Sequence, residues 1–204
     1  MKKPVLRKIN AFIVSIRPKT TPLGMISVYI GGLVAGASYT SINLLLAVIA
    51  TFFITAASMT YNDYFDWQID KINHPQRPIP QGIITPKEML YFSIFLFAIG
   101  GIIAFFINIL SFIIIILCIL LLNLYELYSK NIGIFSNITV AFISAMSFTF
   151  GGIAVNNPSP TLILSVMTFF VMIGREIIMD IRDTEGDKTT RRSLPVQILS
   201  LIHI

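Results

Sequence analysis

The sequence predicts an all-α, polytopic transmembrane helical bundle, and three observations carry that prediction. The 204-residue chain is 55% hydrophobic and only 12% charged, with a mean hydropathy of +0.80, whereas a soluble domain carries roughly a quarter charged residues. Its apolar residues gather into six stretches, each near the ~20 residues that cross a hydrocarbon core. Its charges lie before the first stretch, in alternate gaps or at the stretch ends that face them, and towards the C-terminal end. A bilayer imposes this pattern, because there the backbone must satisfy its own polar groups within helices or closed barrels.

The stretches read, in order, as residues 20–38, 43–64, 88–108, 110–128, 135–155 and 161–179. The first follows Lys2, Lys3, Arg7, Lys8, Arg17 and Lys19 and contains Ala35-Gly36-Ala37, which mimics a signal-peptidase site. Its apolar run starts late and five more spans follow, so it reads as a membrane helix and not as a cleaved leader. The glycine pairs Gly31-Gly32, Gly100-Gly101 and Gly151-Gly152 fall in the first, third and fifth spans. With Gly32 and Gly36 spaced as GxxxG, they predict close helix packing. Cys118 is alone and mid-span, which excludes a disulfide framework and a metal–thiolate site and leaves a small core residue.

With the N-terminus placed in the cytoplasm, the segments 1–19, about 65–87, 129–134 and 175 onward are cytoplasmic. All 15 Lys and Arg and all 10 Asp and Glu lie in or beside them. The formal charge of +5 therefore reports orientation and no nucleic-acid partner is expected. Acidic residues contribute little to orientation, so their confinement to one side predicts a reaction site at the cytoplasmic face.

Those acids form two copies of one pattern. Asn62-Asp63-x-x-Asp66-x-x-x-Asp70 closes the second span, and Asp180-x-x-Asp183-x-x-x-Asp187 closes the sixth. Arg77-Pro78-Ile79-Pro80 follows the first and Arg192-Ser193-Leu194-Pro195 the second, which suggests an internal duplication. On a helix, offsets of 3 and 7 residues place Asp63, Asp66 and Asp70 within about 60° of one another, and likewise Asp180, Asp183 and Asp187. Such a stripe repels itself and lies at a helix end that already disfavours negative charge. Mg²⁺ reverses both penalties, since it takes carboxylate oxygens together with substrate phosphates. A plain solvated acidic loop explains one copy more easily than two. Transporter carboxylates lie near the bilayer midplane, whereas these lie at helix ends.

The expected chemistry is activation of an isoprenyl diphosphate, in which neutralising the departing pyrophosphate lowers the barrier. Asp66 and Asp183 are the central carboxylates, and Asn62 is a further metal or phosphate ligand. Arg77, Lys130, Arg191 and Arg192 are cations able to complement a diphosphate, although topology and contact with membrane lipids also call for such residues. Tyr125 and Tyr128 are placed to orient substrate or stabilise a carbocation. His74, in a loop beside Pro75, reads as structural. No Ser–His–Asp set, zinc pattern or phosphate-binding Gly loop is present. Neither acidic motif has the D-G-x-x-A-R-type run of a CDP-alcohol phosphatidyltransferase.

At these residues the chain resembles the UbiA superfamily of intramembrane prenyltransferases. Asn62 to Asp70 looks like its first motif, Asp180 to Asp187 like its second, and Tyr125 to Lys130 like the element between them. The tails of both motifs look most like the archaeal ether-lipid branch. That resemblance implies Mg²⁺-dependent transfer of a geranylgeranyl group to the hydroxyl of a lipid-like acceptor, geranylgeranylglyceryl phosphate. Aromatic and chlorophyllide acceptors are the alternatives within the superfamily. It also implies nine helices where six are read here, so residues 1–197 are expected to be the N-terminal two-thirds of the domain. Residues 198–204 are expected to be a non-native tail, and the 204-residue chain is expected to be inactive.

Overall fold

The computed structural model describes residues 2–128 and 133–187, with side chains described over residues 5–128 and 133–181. The described residues form eight α-helices. They are α1 (Lys2–Ser15), α2 (Thr21–Val34), α3 (Ile42–Phe65), α4 (Trp67–Asn73), α5 (Pro86–Ile107), α6 (Ile109–Leu127), α7 (Gly133–Ala154) and α8 (Leu162–Asp187), the last preceded by a 3₁₀ turn at Ser159–Thr161. Five are long and apolar enough to cross a membrane: α3, α5, α6, α7 and the segment Ser159–Ile181. The first expected span is shorter than predicted, because α2 has 14 residues and rises only about 21 Å.

Local chemistry sets the helix ends. Thr85 and Glu88 form a capping box at the start of α5, with Pro86 in the first turn. Asn108, in extended backbone, is the single residue between α5 and α6, and its side chain caps α6 by accepting from Ser111 N at 2.7 Å. At the end of α2, Gly36 has φ +90°. Its N–H donates to Leu33 O at 2.9 Å and that of Ala37 to Gly32 O at 3.0 Å, the paired bonds of a Schellman ending. The triplet that mimics a cleavage site is thus a helix stop. Gly36 serves that turn and not the packing expected of a GxxxG, since a Cβ there would meet nothing within 4 Å.

Of the other glycines, Gly101 also departs from the expected packing, since a Cβ there would meet nothing within 4 Å, whereas the expectation holds at the α2–α7 crossing. A Cβ on Gly31 would lie 2.1 Å from Phe148 O, and one on Gly151 2.0 Å from Val28 O. Only hydrogen fits there. Small residues do the same between α3 and α5, where Ala47, Ala56 and Ala57 are fully buried and a Cβ on Gly100 would strike Ile54 at 2.6 Å. The main core runs through α2, α3, α5 and α7, with Val28, Ile54, Leu96, Phe97 and Phe150. A second cluster of Ala11, Ile79, Ile84 and Met89 sits under α1 and the 74–85 loop.

Two elements differ from the expected plan. Residues 2–15, read only as a charged leader to the first span, form the helix α1. The first acidic stripe is not on one straight helix, because Asp66 (φ −88°, ψ 3°) ends α3 and begins α4. Asp66 N still donates to Asn62 O at 2.9 Å and Asp70 N to Asp66 O at 2.8 Å, so the stripe bends without losing its phase. The second stripe stays within α8, which runs unbroken through Asp187.

Candidate active site

Asp63, Asp66 and Asp70 are all buried, at 4%, 9% and 3% exposure. Carboxylates so placed require partners. Arg77 donates to Asp70 Oδ2 at 2.5 Å and lies 3.4 Å from Asp63 Oδ1. Arg17, from the turn between α1 and α2, donates to the same Asp63 oxygen at 2.8 Å. Arg17 holds a left-handed backbone (φ 51°), rare for a residue with a side chain. The repulsion expected along the stripe is therefore balanced by two guanidiniums against Asp63 and Asp70. Arg77, expected to bind substrate, faces these two acids.

Asn62 is held differently. Its Nδ2 donates to Glu126 Oε1 on α6 at 2.9 Å, while the neighbouring Tyr61 hydroxyl donates to Asn123 Oδ1 at 2.6 Å. The two bonds clip the ends of α3 and α6 together. A carboxylate only accepts, so the bond fixes which way the Asn62 amide faces and leaves Oδ1 as the atom it can offer to a ligand. On the other side of the bundle Asn137 on α7 donates to Asp180 Oδ2 on α8 at 2.9 Å. A partly buried Asn–carboxylate bond thus occurs at each acidic motif.

Between α2, α3, α6, α7 and α8 lies a cavity of about 770 Å³. One end is charged and polar, with Arg17, Asn62, Tyr125, Glu126, Arg175 and Glu176; the other is closed by Val28, Ile54, Ile115 and Phe150. Lining residues on α6 run from Ile114 to Glu126, about 18 Å of helix rise. Several hydroxyls along the wall are turned back on their own helices. Ser27 donates to Leu23 O at 3.1 Å, Thr51 to Ala47 O at 2.8 Å and Ser147 to Ser144 O at 2.7 Å. The wall therefore presents few unpaired donors, and the shape suits a ligand with an anionic head and a long apolar tail.

Of the expected site residues, Asn62 and Tyr125 line the cavity, and Asp66 follows Asn62 by one turn. Tyr128 is 65% exposed at the end of α6 and is not among the lining residues. Lys130 and Arg192 lie outside the described residues, as do the side chains of Asp183 and Asp187. Arg17, Glu126 and Arg175 line the rim without having been singled out for the site. The signal that marks Glu126 in the sequence is that α6 carries no other acid, and Glu176 extends the second stripe by one turn. Among the described residues no three Asp, Glu, His or Cys side chains close into a metal cage. Mg²⁺ does not need one, because phosphates and waters complete its shell. The buried Asp66 and the oriented Asn62 fit that role.

The family model for UbiA prenyltransferases matches residues 24–200. The chain belongs to the UbiA prenyltransferase family. This UbiA chain is 36% identical over 180 residues to the digeranylgeranylglyceryl phosphate synthase of Methanosphaera stadtmanae, covering 88% of this chain and 65% of that protein. It is 36% identical to the synthase of Pyrococcus furiosus, covering 94% and 70%. A solved structure of a digeranylgeranylglyceryl phosphate synthase superposes with a TM-score of 0.83 at 34% identity, over 93% of this chain and 69% of that one. A UbiA homologue from Aeropyrum pernix shares the fold, with a TM-score of 0.77 at 18% identity. This UbiA chain thus spans about two-thirds of the length of the relatives it matches, and it is an integral, multi-pass membrane protein.

Proposed function

We propose that the complete protein is a Mg²⁺-dependent prenyltransferase that moves a geranylgeranyl group from its diphosphate to the free hydroxyl of geranylgeranylglyceryl phosphate. The observation that carries this reading is the cavity: an apolar bore about as long as a membrane leaflet's depth, opening at a rim of Asn62, Glu126, Arg17 and Arg175. The relatives' names support the acceptor, and the tails of the two motifs agree with them.

In the reaction the allylic carbon–oxygen bond breaks, pyrophosphate leaves with the electron pair, and the acceptor oxygen forms the new ether bond while its proton is lost. Mg²⁺, when bound, neutralises the departing pyrophosphate. Asn62 and Asp66 from the first motif, with Asp183 and Asp187 from the second, are the residues that would hold it. Asp180 is oriented by Asn137. Asp63 and Asp70 act through Arg17 and Arg77, which keep the bent end of α3 in place. Arg175, together with Lys130 and Arg192 from outside the described residues, supplies positive charge around the head group. The apolar wall excludes water from the allylic cation, and Tyr125 faces it from α6.

On this reading the rim lies at the cytoplasmic face, and residues 1–197 form the N-terminal part of a longer bundle. The test offers the complete protein labelled geranylgeranyl diphosphate with glycerol-phosphate and aromatic acceptors. The expected product is a labelled diether phosphate formed only with Mg²⁺. Transfer to aromatic acceptors alone would replace the acceptor assignment. Pyrophosphate release unaffected by both Asp66→Ala and Asp183→Ala would overturn the site.

A further inference from the structure

We infer that α1 lies in the plane of the membrane surface and that its partner there is a bilayer carrying anionic headgroups. This goes beyond the prenyltransfer reading and does not depend on it.

At 100° per residue α1 has three faces. Val5, Leu6, Ile9 and Ile13 fall within an arc of about 100°, and all four are 48–63% exposed. Phe12, at the edge of this arc, packs on Phe92 with ring centroids 4.7 Å apart. Ala11 and Ser15 are buried and form the protein-facing side, at 5% and 2% exposure. On that flank Lys8 pairs with Glu88. Arg7 and Asn10 are exposed and occupy the third face, with Val14 the one apolar residue among them. A helix with only a protein partner needs one apolar face. α1 has a second that none of the described residues covers.

Its contacts fix where it lies. Glu88 is in the first turn of α5, and Ala11 joins Ile79 and Ile84 of the loop before α5. Arg17, just past α1, meets Asp63 near the end of α3. Each of these partners stands at the end of a spanning helix or in the loop joining two. α1 therefore crosses one end of the bundle, and with 14 residues it is too short to span. Charge selects the lipid. Residues 1–19 carry six cations and no acid; Lys8 and Arg17 pair with Glu88 and Asp63, and Lys2, Lys3, Arg7 and Lys19 suit anionic headgroups, while the apolar arc suits the acyl boundary beneath them.

The test uses the full chain with Cys118→Ser and single nitroxide labels at positions 7, 9, 10 and 13, reconstituted into phosphatidylcholine vesicles with and without phosphatidylglycerol. Labels at 9 and 13 are expected to relax preferentially with oxygen, and those at 7 and 10 with a water-soluble nickel chelate. The labels at 9 and 13 are expected to lie deeper when phosphatidylglycerol is present. A variant with Lys2→Gln, Lys3→Gln and Arg7→Gln is expected to keep the oxygen pattern in phosphatidylcholine and lose the phosphatidylglycerol shift. All four labels favouring the chelate would overturn the proposal, as would dipolar broadening between labels of two copies. A shift that survives the triple substitution would overturn the assignment to anionic headgroups.

Discussion

Asn62 on α3 donates its side-chain N–H to Glu126 on α6 at 2.9 Å, 64 residues further along the chain. The bond turns an ambiguous amide into a directed one. With Nδ2 committed to an obligate acceptor, the carbonyl oxygen is what Asn62 presents as a ligand. A Gln at 126 both donates and accepts, so it tolerates either orientation. Glu126→Gln is expected to raise the Mg²⁺ concentration for half-maximal turnover by about 10-fold or more, the usual cost of losing a residue that orients a metal ligand. A magnesium titration checks this, and an unchanged midpoint would show that Glu126 does not set the orientation.

Arg77 answers two buried acids, Asp70 and Asp63. Arg77→Ala leaves buried negative charge with one cation fewer. The expected cost is about 3–5 kcal/mol, read as a lower unfolding temperature in detergent. Arg77→Lys is expected to recover part of it, since a point charge replaces a planar fork. Loss of turnover with no change in unfolding temperature would instead assign Arg77 to substrate contact.

The glycines separate into two kinds. Gly151→Ala puts a methyl 2.0 Å from the backbone oxygen of Val28, which cannot move without parting α2 from α7. It is expected to destabilise the bundle strongly. Gly101→Ala meets nothing within 4 Å and is expected to be neutral or to stabilise by up to about 1 kcal/mol through helix propensity. Thermal unfolding of the two variants side by side provides the comparison, and equal losses would refute the crossing geometry.

Cys118 lines the cavity partway between rim and floor. Cys118→Trp fills space that the prenyl tail needs. It is expected to abolish turnover with geranylgeranyl diphosphate while retaining more activity with shorter prenyl donors. Equal loss for all chain lengths would place the tail elsewhere.

Much of the fold was legible because a bilayer enforces a crude code. Twenty apolar residues ended by charge read as a span without any knowledge of neighbours, and five such helices stand where hydropathy put them. The elements that escaped were those whose identity depends on partners. α1 is short, and its cations have a sufficient explanation in orientation alone. The bend at Asp66 leaves helical periodicity intact, so spacing reveals the stripe and hides the break. At the site, the spacing picked out the acids but not their company. Arg17 reaches Asp63 over 46 residues, and the spacing offers Glu126 a local partner in Lys130, four residues on, that hides the distant Asn62. Side-chain pairing between helices far apart in sequence has no signature in one chain.

Asn108 alone joins α5 to α6. A one-residue linker leaves no slack, so the two helices stay close neighbours where they meet. The α5 arm starts at Glu88, tied to Lys8 of α1, and the α6 arm finishes at Glu126, tied to Asn62. Both ties therefore lie at the same end of one short-linked hairpin, opposite Asn108.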